Sequence, residues 1–245
     1  MQSAPSIDTR PAADPRPARA AGGRRVTDAP MRTFHWLFAL SFAGAYLTAE
    51  SEHWRALHVA LGYTLAGLLL FRILYGLIGP RHAGLAAMWR RLGSAPAWLR
   101  SLRHSRSLAA INWRQGQNLL MAMAVAALLL TVVPLTLSGY ATYEEWGGRR
   151  VGESLEEVHE FFADAFLGVV LLHLALIAAL SVLRRKNQAL PMLSGRVDGP
   201  GPDLVRHDRR WLAAALLIGA IAFGTWVWPQ APAPDSLPSS STRAQ

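Results

Sequence analysis

Apolar residues gather into five runs along the 245-residue chain: Thr33–Ala49, Leu57–Gly79, Asn118–Ser138, Val158–Leu183 and Trp211–Trp228. Each approaches the roughly 20 residues that a helix needs to cross the apolar core of a bilayer. The pattern predicts an all-α, polytopic membrane protein, a four-helix transmembrane bundle with an additional C-terminal transmembrane helix. Residues 1–32, rich in Ala, Pro and Arg and lacking an apolar stretch, read as a disordered tail and not as a signal peptide. The bundle is expected over 33–197, a linker over 198–210, the fifth helix over 211–228 and a second disordered tail over 229–245. Between the second and third runs, Met88–Leu108 mixes Trp89, Trp98 and leucines with arginines, as an interfacial segment would. Pro134 predicts a kink in the third helix.

Composition agrees with a chain short of water-facing surface: 51% of residues are hydrophobic and only 17% charged. The formal net charge of +9 would suggest nucleic acid in a soluble protein, but the charges are segregated. Twenty of the 25 Lys and Arg fall in residues 1–32, 81–114 and 184–210, with six acidic residues beside them, a net +14. The opposite side has four arginines and nine acidic residues, a net −5, while Arg72 and Asp164 cancel within the runs. By the positive-inside rule the N-terminus and both arginine-rich loops are cytoplasmic. Charge therefore reports topology and interaction with membrane lipid; no nucleic-acid motif accompanies it. The absence of cysteine excludes disulfides, thiolate metal sites, iron–sulfur clusters and covalently attached haem.

Four of the eight histidines, His35, His58, His159 and His173, lie inside the apolar runs. Any one alone reads as readily as an interhelical hydrogen-bonding residue. Their positions make a stronger pattern. His159 and His173 are 14 residues apart, which brings both to one helix face about 21 Å apart in depth. His35 opens the first run on the cytoplasmic side and His58 opens the second on the outer side. Depth thus pairs His58 with His159 and His35 with His173. Two opposed imidazoles in an apolar bundle suit the axial positions of a non-covalent haem, whereas zinc or copper would call for three or four ligands.

Other positions fit around these pairs. Gly62, Gly67 and Gly76 thin the second helix, and Arg72 repeats the helical phase of His58 about 21 Å deeper. Arg72 reads either as the partner of a haem propionate or as an arginine snorkelling to the interface. Phe166 falls midway between His159 and His173, and Asp164 points away from their stripe, toward a polar contact with another helix. His53, His104 and His207 read as loop histidines, and no hydrolytic or transferase site is visible.

The ordered set Arg32-Thr33-Phe34-His35-Trp36, Leu57-His58-Val59-Ala60-Leu61-Gly62-Tyr63, Phe71-Arg72-Ile73-Leu74-Tyr75-Gly76, Gly79-Pro80-Arg81-His82-Ala83, Leu155-Glu156-Glu157-Val158-His159-Glu160 and Pro191-Met192-Leu193-Ser194-Gly195-Arg196 resembles a known family. This is the family of bacterial b-type cytochromes that includes cytochrome b-561 and the membrane subunits of nickel–iron hydrogenases. The likeness covers about residues 26–197. It implies four helices holding two haem b groups through His35, His58, His159 and His173. It also implies electron transfer across the membrane between quinone and a redox partner at the outer face, a cytochrome c or an oxidoreductase subunit. His82, within a matching stretch, is a candidate proton shuttle for quinone or a solvated loop residue. At Ile111-Asn112-Trp113 the chain departs from the His-Asn-Pro that members often carry. Two other readings compete: a haem-free metal-ion or proton transporter, and a structural membrane anchor.

Overall fold

The computed structural model describes residues 23–80, 83–105, 107, 111–199 and 201–227. The two expected tails fall largely outside the described residues, and so does His82. The elements run β1 (Arg24–Arg25), α1 (Ala29–Thr48), a 3-10 turn (Glu52–Trp54), α2 (Arg55–Ile78), α3 (Leu85–Gly93), α4 (Ala95–His104), α5 (Trp113–Tyr143), α6 (Gly148–Arg184), α7 (Leu190–Leu193), β2 (Arg196–Val197) and α8 (Arg210–Val227).

All five apolar runs are helical, with longer ends than hydropathy alone marks. α6 begins ten residues before Val158 and reaches 37 residues, about 55 Å against a bilayer core of about 30 Å. Its first turns therefore stand beyond the apolar core. Four helices are long and apolar enough to cross a membrane: Glu52–Ile78, Trp113–Tyr143, Gly148–Arg184 and Arg210–Val227. The fifth expected span, α1, has 20 residues but is diluted by Arg32 and His35 near its start. α5 runs as one helix through Pro134. The segment expected at the interface folds as α3 and α4.

The helices assemble as two antiparallel pairs, α1 with α2 and α5 with α6, with α2 also touching α5 and α8 laid against α1 and α2. α6 packs chiefly on α5 and stands off from α1 and α2. The gap is bridged at mid-height by one apolar plug, in which Phe42 of α1, Leu65 and Leu69 of α2, and Val132 and Leu135 of α5 surround Phe166 of α6. The Phe42 and Phe166 rings meet edge to face with centroids 4.5 Å apart, a favoured aromatic geometry.

One end of the bundle carries the arginine-rich loops, and here the order exceeds what hydropathy predicts. Residues 23–28, assigned to the tail, pair as β1 with β2, and Asp28 caps α1 by accepting a hydrogen bond from the Met31 backbone N–H. Residues 201–209, assigned to a linker, are held as well. The Arg25 N–H donates to Asp203, the Ala29 N–H donates to Asp208, and Val205 is buried. Asp28 is fully buried and accepts a hydrogen bond from the Tyr75 hydroxyl, joining α1 to the last turns of α2. These contacts depend on tertiary partners up to 179 residues away, so no local pattern announces them.

Candidate haem site

The plug divides the gap between the helix pairs into two layers. Toward the end rich in acidic residues, α2 presents His58 and α6 presents His159. Their rings are half-buried, 6.0 Å apart between centroids and nearly perpendicular. Each Nδ1 meets a backbone carbonyl: His58 donates to Ala45 of α1 at 2.8 Å, and His159 to Leu135 of α5 at 3.0 Å. With Nδ1 engaged as donor, each ring keeps Nε2 as a free acceptor, the tautomer a metal ion needs. Gly139 makes room for this arrangement, because a Cβ there would stand 2.7 Å from Cε1 of His159.

Toward the arginine-rich end, α1 presents His35 and α6 presents His173. Both are half-buried, and they lie close enough to interact electrostatically. Their Nδ1 atoms are buried and lack a hydrogen-bond partner among the described residues, unlike those of the first pair. A buried ring nitrogen without a partner costs free energy unless something else satisfies the ring.

α2 supplies the rest of the lining. A Cβ added at Gly62, one turn from His58, would meet nothing within 4 Å, so the helix borders open space there, whereas Gly67 is exposed on the opposite face of α2. Gly76 instead lies against the Arg72 guanidinium and Leu85 of α3. Arg72 is only 8% exposed and donates through Nη1 to the Ala83 carbonyl at 3.2 Å. No carboxylate pairs with it among the described residues, although a guanidinium carries five donors.

Phe166, expected between the two histidine levels, sits there as the most enclosed large side chain, 1% exposed. Asp164 is a correction: it is exposed on α6 and makes no polar contact with another helix among the described residues. Sequence reasoning missed the Ala45 and Leu135 carbonyls and Gly139. The backbone carries no residue code, and only the glycine, directly after the buried Ser138 in a packed helix, offered a signal.

Among the described residues, no three His, Asp or Glu side chains converge as a metal cluster. The donors present are the facing His58 and His159 rings and, at the other level, His35 near His173, a set that fits an iron already held in a planar macrocycle better than a free metal ion. A family model described as prokaryotic cytochrome b561 matches residues 26–195, more than two thirds of the chain. Comparison with curated proteins and with solved structures gave no match. The chain thus belongs to the prokaryotic cytochrome b561 family, multi-pass membrane proteins that bind haem b and carry electrons.

Proposed function

We propose that this cytochrome holds two haem b groups, one between His58 and His159 and one between His35 and His173, and passes electrons across the membrane between them. The observation that carries this reading is the 6.0 Å spacing of the His58 and His159 rings across two different helices. Two metal–imidazole bonds of about 2 Å each, with the ring radii added, give a centroid spacing of about 6 Å. The proximity of His35 to His173 and the open flank at Gly62 support the same reading.

Each iron would supply reversible one-electron redox chemistry. The chain's own residues set the conditions for it. The Ala45 and Leu135 carbonyls fix the tautomer and plane of the His58 and His159 rings, and raise their basicity as ligands. The Phe42–Phe166 plug keeps water out between the layers, and the roughly 21 Å from His159 to His173 along α6 sets their separation. Arg72, with spare donors at the level of His35 and His173, holds a propionate there.

The segregation of charge supports an arginine-rich end that faces the cytoplasm. On this reading the His58–His159 layer faces a periplasmic partner, a cytochrome c or an oxidoreductase subunit, and the other layer exchanges electrons with quinone. Glu144, Glu145, Glu153, Glu156 and Glu157 at the periplasmic end favour a basic docking surface.

Single substitutions test the pairing. His58→Ala and His159→Ala should each abolish the same haem signal in a redox titration, and His35→Ala and His173→Ala the other. Loss of different haems within a pair would refute the assignment. In the same titration Arg72→Leu should shift the potential of the His35–His173 haem; an unchanged potential would leave Arg72 as a helix-end cation bonded to Ala83.

A further inference from the structure

The family activity leaves unexplained a cleft of about 290 Å³ where α3, α4 and the first turns of α5 meet at the arginine-rich end. We infer that it binds the phosphate of an anionic phospholipid headgroup. It is lined by Arg91, Ser94, Asn112, Arg114, Gln115, Asn118 and Leu119.

The hydrogen-bonding state of these groups selects the ligand. The Asn112 side-chain oxygen already accepts the Gln115 N–H, at 3.0 Å. The Asn118 oxygen already accepts from Nη2 of Arg184, also at 3.0 Å. Both amides are thereby turned so that their NH2 groups are what remains to be offered. The Ser94 hydroxyl is spent on the Arg91 carbonyl, at 2.6 Å. Neither the Arg91 nor the Arg114 guanidinium has a hydrogen bond or ion pair among the described residues. The lining is therefore dominated by donors, two guanidinium forks and the NH2 groups of Asn112 and Asn118, beside a Gln115 amide that can turn its own NH2 inward. That is the complement of a phosphate, whose oxygens only accept.

Among the described residues no carboxylate forms an ion pair with Arg91 or Arg114. Between Glu52 and Glu144 the chain contains no acidic residue at all. The N-terminus of α5 is already capped by Asn112, so attraction rests on the guanidinium groups and not on free helix N–H groups.

The depth of the cleft argues for a lipid over a free ion. Leu119 in its lining is buried, and the exposed Leu120 and Met123 carry the α5 surface on into the bilayer as an apolar strip. A headgroup phosphate at the mouth thus leaves its acyl chains against leucine and methionine. α3 and α4 flank the mouth with apolar residues on one side (Leu85, Trp89, Leu92; Trp98, Leu102) and arginines on the other, as helices lying in an interface do. The cleft is also built to hold its shape. The Trp98 ring sits so close to α5 that a Cβ at Gly116 would come within 2.3 Å of it, and its Nε1 donates to the Asn112 carbonyl at 3.2 Å.

Native mass spectrometry of the full-length protein in detergent tests this with added phosphatidylglycerol, phosphatidylcholine or inorganic phosphate. Phosphatidylglycerol should be retained one-to-one and phosphatidylcholine should not, and inorganic phosphate should fail to displace the lipid. The double variant Arg91→Gln/Arg114→Gln should weaken retention at least about ten-fold, the loss of one or more charge-assisted hydrogen bonds. Arg100→Gln/Arg103→Gln, an equal charge change on the same arm, should leave it intact. Arg91→Lys/Arg114→Lys keeps the charge, loses the fork and should fall between; it serves alone if the glutamine variant fails to fold. Equal weakening by the Arg100/Arg103 variant would reduce the effect to diffuse attraction and overturn the site. Displacement by inorganic phosphate would overturn the lipid assignment.

Discussion

His58 and His159 differ from His35 and His173 in the fate of Nδ1: the first two donate to carbonyls and the second two lack a partner. The difference arises from helix spacing. Close contact between α5 and α6 brings the Leu135 carbonyl to His159, and Gly139 permits that approach. Gly139→Val places two methyl groups where the His159 ring lies. It should cost the protein the His58–His159 haem, or shift its potential, while leaving the other haem's spectrum unchanged. Low-temperature absorption spectra of the variant check this, and two unaltered haem signals would contradict it. The four histidines and Arg72 were legible in the sequence because charged or polar side chains inside apolar runs are rare and costly. The carbonyls that orient them were not, because every residue carries one.

At the scale of elements, hydropathy located every long helix, and 14-residue spacing put His159 and His173 on one face of α6. The helix ends were less legible. α1 starts at Ala29 because Asp28 caps it and Pro30 suits a first turn, a signal hidden in a segment whose composition reads as tail. The clamp formed by β1, β2 and residues 201–209 rests on contacts distant in sequence, invisible to any local window. Asp208 is its most charged member. Partial burial works to raise its pKa, but the Arg210 guanidinium, the Ala29 N–H, Arg25 and Arg32 outweigh it and hold the carboxyl below its ordinary value of 3.8. A depressed carboxylate contributes stability that is complete above 3.8 and is lost as pH falls through the lower folded value. Hydrogen exchange of residues 24–32 should therefore accelerate as pH drops below about 4, once corrected for intrinsic rates. Asp208→Asn should remove that dependence. A pH-independent exchange rate in the parent chain would show that the carboxylate does not hold the clamp.

Across the whole molecule, a net charge of +9 that separates into +14 and −5 predicts a single orientation. A fluorescent protein fused to the N-terminus should light up in the cytoplasm, and alkaline phosphatase fused after Val227 should be active in the periplasm. That result also requires α1 to span, since an odd number of crossings separates the two ends. The two-layer division around Phe166 leads to the central claim, that one chain holds two haems. Pyridine haemochrome analysis of the purified protein, set against amino-acid quantification of the same sample, tests it most directly. Two haem b per chain are expected, and one or none would contradict the two-layer assignment.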